Sequence, residues 1–133
     1  DASWSRGLGD VYKRQDIVWS SPLSFVNNIS IHGSSILGST TSNVLVSLDK
    51  ASGFTNWKNE LNKDITEPFV IDRIVMIFST DGTLFGYDID SGDRVYEEEY
   101  GYDIHPKTEF IVEKNNIYFQ TNDGETIHLR VNL

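Results

Sequence analysis

From residue 17 to residue 131 the chain alternates short apolar runs with clusters of Gly, Asn, Asp and Ser. The runs cover residues 18–20, 29–32, 35–40, 44–48, 55–60, 68–71, 74–79, 83–88, 94–99, 109–113, 116–121 and 125–131. They are rich in β-branched and aromatic residues. Several place apolar and polar side chains alternately, the period of a strand with one buried face. No segment sustains ten residues of helical periodicity. Asp81-Gly82, Ser91-Gly92 and Asp123-Gly124 supply tight-turn chemistry between the runs. The pattern predicts an all-β chain.

The runs also repeat. Residues 43–61 (NVLVSLDKASGFTNWKNEL) superpose on residues 82–100 (GTLFGYDIDSGDRVYEEEY) at an offset of 39, which aligns Asp49 with Asp88, Gly53 with Gly92, and Trp57 with Tyr96. Residues 74–87 superpose on 116–129 at an offset of 42, and Thr66-Glu67 then meets Thr108-Glu109. A period near 40 residues built from short strands is that of a β-propeller blade. The predicted fold is a partial β-propeller of about three four-stranded antiparallel blades, with units near 21–61, 62–100 and 101–133 inside a domain spanning 16–133. Trp19 precedes Trp57 by 38 residues, so residues 18–20 are expected to form the fourth strand of a preceding blade. Closed propellers use about four to eight blades. The chain is therefore expected to be the C-terminal part of a larger ring, left with open strand edges.

Composition narrows the function classes. The 133 residues suffice for one domain with a real core. A net charge of −9 repels phosphate backbones and anionic lipid, which argues against nucleic-acid binding. No apolar run reaches the roughly 20 residues of a membrane span. Zero cysteines removes disulfides, thiolate metal sites and cysteine nucleophiles.

Residues 1–15 (DASWSRGLGDVYKRQ) stand outside the repeat and resemble the peptide made when sequencing-adapter DNA is translated onto an open reading frame. On that basis Trp4, Arg6, Lys13 and Arg14 belong to a non-native tail, and the natural N-terminus with any export signal lies upstream. The alternative is a disordered native end.

The stretch Gly82-Thr83-Leu84-Phe85-Gly86-Tyr87-Asp88, with Gly92 and Tyr96 following, resembles the repeat of quinoprotein-type, PQQ-like propellers. The copy at residues 43–57 has Asn43 for the glycine and supplies Trp57, and a third keeps Asp123-Gly124. Each signature residue has a structural part to play. Asp81-Gly82 and Asp123-Gly124 reverse hairpins, because glycine tolerates positive φ. Asp49 and Asp88 cap the turn after the third strand, Gly53 and Gly92 permit it, and Trp57 and Tyr96 pack against the neighbouring blade.

Chemistry finds little purchase. Asp88, Asp90 and Glu99 have a calcium-loop look, but Asp93 stands where such a loop needs glycine. Glu97, Glu98 and Glu99 alternate sides of one strand and cannot converge. His32, His105 and His128 have no ligand spacing. No catalytic, cofactor or metal residues are assigned. Quinone-dependent relatives hold their cofactor beneath a vicinal cysteine pair that this chain lacks, so that site is not carried over. Within the superfamily the chain resembles the propeller lipoproteins that assist outer-membrane β-barrel assembly. That resemblance implies a non-catalytic periplasmic scaffold whose partner is a protein, the β-barrel assembly complex. The alternatives are a piece of a PQQ-dependent dehydrogenase and a sensor ectodomain of a membrane kinase.

Overall fold

The computed structural model describes residues 16–26 and 29–133. Among them, eleven strands form three antiparallel sheets, and no residue is helical. Blade 1 holds β1 (Ser30–His32), β2 (Ser35–Ser39), β3 (Val44–Asp49) and β4 (Thr55–Glu60). Blade 2 holds β5 (Phe69–Ile71), β6 (Ile74–Phe78), β7 (Thr83–Asp88) and β8 (Arg94–Glu99). Blade 3 holds β9 (Ile111–Glu113), β10 (Asn116–Gln120) and β11 (Thr126–Arg130). Sequential neighbours pair in each sheet, which is the meander of a partial propeller.

Residues 18–20 correct one expectation: they form no strand. A fourth strand needs a third to pair with, and the described residues offer none upstream. Trp19 nevertheless donates its indole N–H to Lys50 O at 2.9 Å. The proposed tail, residues 1–15, lies outside the described residues.

Turn geometry puts the connections on two rims. The hairpins after the second strand share one rim with the linkers between blades: Tyr100 N–H donates to Gly82 O at 3.0 Å, and Thr80 N–H to Asp64 O at 2.9 Å. The remaining hairpins share the other rim, where Ile89 N–H donates to Arg73 O at 3.1 Å.

Each fourth strand carries a bulge at the same repeat position. Ser47 pairs with Trp57 and Leu48 with Thr55, leaving Asn56 extra; Gly86 pairs with Tyr96 and Tyr87 with Arg94, leaving Val95 extra. A bulge tightens twist and re-aims side chains. Here it turns Trp57 and Tyr96 toward the next blade.

The core lies in the seams between blades. Period two sends neighbouring residues of a central strand to opposite faces. Ile36 therefore joins Val46 and Leu48 on one face of blade 1, while Leu37 and Leu45 on the other meet Val75, Ile77 and Tyr87 of blade 2. Ile71, Met76, Phe78 and Leu84 on the far face of blade 2 meet Ile117 and Phe119 of blade 3. Blade 2 is covered on both sides, which is why β6 reads IVMIF without polar alternation. Such buried side chains contribute about 1.5–3 kcal/mol each. The exposed Arg73–Asp90 pair at 2.6 Å belongs to a class contributing about 0–1 kcal/mol. Apolar seams decide the fold.

The change of offset has a local cause. Asp64-Ile65 aligns with Asp103-Ile104, but Thr66 aligns with Thr108, so His105, Pro106 and Lys107 are extra. They close a turn in which Thr108 N–H donates to His105 O and Lys107 N–H to His105 Nδ1, both at 3.0 Å.

Candidate functional site

The repeat signature residues do not gather into one site. Asp49 and Asp88 end β3 and β7. Asp49 Oδ2 accepts from Ser52 N–H at 2.9 Å and Ser52 Oγ–H at 2.8 Å. Asp88 Oδ1 accepts from the N–H groups of Asp90 and Ser91 at 2.9 and 3.0 Å. These bonds hold both carboxyls below their ordinary range, the Ser52 side chain being the main cause at Asp49 and the Ser91 N–H at Asp88.

Gly92, at φ +78°, closes the second of these turns beneath Trp57. A Cβ there would stand 2.5 Å from Trp57 Cγ. The indole N–H of Trp57 donates to Ile89 O at 2.9 Å, so the fourth strand of blade 1 clasps the turn of blade 2. Gly53 and Trp19 repeat the arrangement one unit earlier. On the opposite rim Asp81-Gly82 and Asp123-Gly124 turn their hairpins with φ of +89° and +87° at the glycines, and Asn43 adopts +64° at the equivalent place. The Tyr102 backbone lies directly against Gly82. Tyr96 donates to or accepts from Tyr100 Oη at 2.9 Å.

The residues with chemical candidacy are spent locally. Asp90 pairs with Arg73 rather than facing Asp88. His128 Nε2 and Arg130 Nε both reach Asn116 Oδ1, at 3.0 and 3.2 Å, and the His128 ring stacks on Tyr118 at 4.6 Å. His32 sits across blade 1, in β1. Among the described residues no group of His, Asp and Glu is placed to hold a metal ion.

The candidate site is a cleft of about 400 Å³ on the linker rim, at the seam between blades 1 and 2. Its near wall is the end of β4 and the linker through Lys63; its floor holds Phe85 and Tyr87; β8 closes the outer side with Arg94, Glu97 and Glu99. Ring and charge alternate there. Arg94 lies 5.4 Å over the Phe85 ring and donates to Glu97 at 3.1 Å. Lys63 donates to Asp81 at 2.5 Å, and Ser79 Oγ–H donates to the other carboxylate oxygen. The Lys63 ammonium, then Ser79, draw the Asp81 carboxyl down to about 2. Burial raises the Tyr87 hydroxyl. An aromatic floor with a rim of both charges suits a peptide side chain more than a compact reactive substrate.

Of the cleft residues, Leu61, Lys63 and Arg94 are not singled out by the sequence reading, which meets Phe85 only within the repeat stretch and Glu97 only as part of an acidic strand. The signal was present: at the 39-residue offset Leu61-Asn62-Lys63 faces Tyr100-Gly101-Tyr102, the sharpest change of character between the two linkers.

A family model described as outer membrane protein assembly factor BamB matches residues 9–132. No curated protein matches the chain. Among solved structures, the crystal structure of BamB from Moraxella catarrhalis superposes with a TM-score of 0.75 at 19% identity, covering 86% of this chain and 35% of that one. The computationally designed Ika8 protein superposes with a TM-score of 0.62 at 17% identity, covering 81% and 34%. A europium-containing methanol dehydrogenase gives a TM-score of 0.44 at 21% identity over 53% of this chain and 14% of that one, too little to carry an argument. The chain thus spans about a third of the length of the BamB and Ika8 chains.

Proposed function

The chain belongs to the family of the outer membrane protein assembly factor BamB, and from that premise we propose that it is part of a non-catalytic, protein-binding scaffold acting in outer-membrane protein assembly. The family match across residues 9–132 carries this reading. The physical picture supports it. The Asp and Gly residues of the repeat are committed to turns, and the aromatic residues to seams. Surface on the linker rim remains available, where a cleft with an aromatic floor can receive part of a partner. The partner would be a protein of the β-barrel assembly machinery, and the setting the periplasmic side of an outer membrane, with the whole protein held as a lipoprotein.

The test is affinity capture of the whole protein containing this chain from its own host, after mild crosslinking. Co-recovery of a subunit of the outer-membrane assembly machinery is the expected outcome. Clean recovery of the protein with none of those subunits overturns the proposal.

A further inference from the structure

The two seams are built on one repeat, so each shows what the other has left out. In the linker after blade 2, Tyr100 and Tyr102 stand where Leu61 and Lys63 stand after blade 1. Tyr100 and Tyr102 stack at 6.1 Å, and Tyr102 meets Phe119 of blade 3 edge-on at 5.8 Å. Both tyrosines pack against the same buried cluster as Ile127 and Leu129, which occupy the repeat positions of Phe85 and Tyr87. The 2–3 seam is therefore roofed by two aromatic rings of the chain itself. At the 1–2 seam the equivalent roof carries no ring: Leu61 packs against the cluster, Lys63 turns to Asp81, and a cleft of about 400 Å³ lined by Phe85 and Tyr87 opens there.

We infer that this cleft receives aromatic side chains, tyrosine or phenylalanine, from an extended segment of a protein partner, which take the place of the missing roof. The inference rests on the protein-binding reading above and names the chemistry of its ligand. An inserted ring would enter beside Phe85, sharing that ring with the Arg94 guanidinium, and bury about 150–250 Å² of its own surface. The neighbouring polar atoms of Asn59 and Glu97 lie in the cleft wall to receive a phenol hydroxyl. At the other seam Tyr100 has such a partner in Tyr96 Oη, at 2.9 Å. A partner aliphatic chain would fill the floor without the stacking, so the preference is for rings over leucine.

The experiment titrates the intact chain with acetyl-Tyr-Gly-Tyr-amide, the tripeptide of the chain's own roof, and with acetyl-Leu-Gly-Leu-amide, while following backbone NMR shifts and Trp57 fluorescence. Trp57 reports because its ring lies 6.2 Å from that of Tyr87. The tyrosine peptide should produce saturable shifts centred on Leu61, Thr83, Phe85 and Tyr87, with the leucine peptide about tenfold weaker. The paired substitutions Leu61→Tyr and Lys63→Tyr, which give the first linker its own roof, should abolish those shifts. Equal binding of both peptides, shifts centred elsewhere, or none up to about 5 mM peptide (~3 kcal/mol) overturns the inference. If the paired variant does not fold, the peptide comparison on the parent chain still decides it. Capture of assembly subunits by a parent that ignores the peptide sinks this inference alone; peptide binding without such capture sinks only the assembly role.

Discussion

Between blades 1 and 2 the contact is anchored by one large ring, Trp57, whose N–H is fixed to Ile89 O and whose face covers Gly92. Between blades 2 and 3 it is spread over a group of rings: Phe78 stacks on Phe110 at 5.3 Å and tilts against Phe119 at 5.3 Å, while Phe69 meets Phe110 at 5.1 Å. Tyr96 stands at the repeat position of Trp57 but spends its hydroxyl on Tyr100. One seam is thus a directional clasp beside an open cleft, the other a close-packed aromatic layer. The same repeat tolerates both, because the ladder within each blade is made by backbone atoms and leaves the seam to side chains.

The sharpest way to break the contrast is Phe78→Ala. Phe78 has no exposed surface and touches two rings of the next blade, Phe119 in β10 and Phe110 just before β9. The loss should be about 3–5 kcal/mol, read by urea denaturation, and larger than for Ile77→Ala in the opposite seam. Next is Gly92→Ala, which should cost roughly 1–3 kcal/mol through strain at positive φ and collision with Trp57. It should also shift the Trp57 emission, while leaving the near-ultraviolet signal of the tyrosines unchanged. An unshifted emission would mean the clasp is not where strain is felt.

Two smaller effects separate the seams by pH. Asp81 is depressed to about 2 from its ordinary 3.8. A carboxyl whose folded value is depressed stabilises the fold above its unfolded value and ceases to do so as pH falls through the folded one. Stability attached to the Lys63–Asp81 pair is therefore expected to fade between about pH 4 and pH 2. Lys63→Met should bring the Asp81 titration, followed by carboxyl NMR, back toward 3.8. Its stability effect stays small because both partners are substantially exposed. Glu67, at the 2–3 seam, moves the other way: burial, then the charge of Glu109, raise its carboxyl above 4.5. Burial and the neighbouring carboxylate thus disfavour the ionised form relative to water. Glu67→Gln should slightly raise the melting temperature at pH 7, with the gain vanishing below about pH 4.

The strand pattern was legible wherever side chains answer to period two or to a glycine turn. β6 and β7 announced themselves through IVMIF and the Asp81-Gly82 hairpin. The Asp72-Arg73 turn did not, because both residues take positive φ without a glycine to advertise it. Trp19 kept its spacing and its indole bond while residues 18–20 made no ladder, since a hydrogen-bonded strand depends on a neighbour that local sequence cannot supply. The cleft was harder still. It is a space left where Leu61 and Lys63 stand in place of two aromatic rings, and absence has no periodicity; only setting one linker against the next exposes it.

The turn at His105, Pro106 and Lys107 is closed by two bonds to His105, from Thr108 N–H and Lys107 N–H. Three residues have entered the chain there without displacing a single ladder pair, because the addition falls before β9 rather than inside it. Insertions on that rim leave the blades in step, so its outline can change without disturbing the ladders. The opposite rim has no such latitude where an indole is tied to the next blade's turn, since a residue added there would pull the two apart. Variation and constancy are thereby assigned to opposite ends of the same strands.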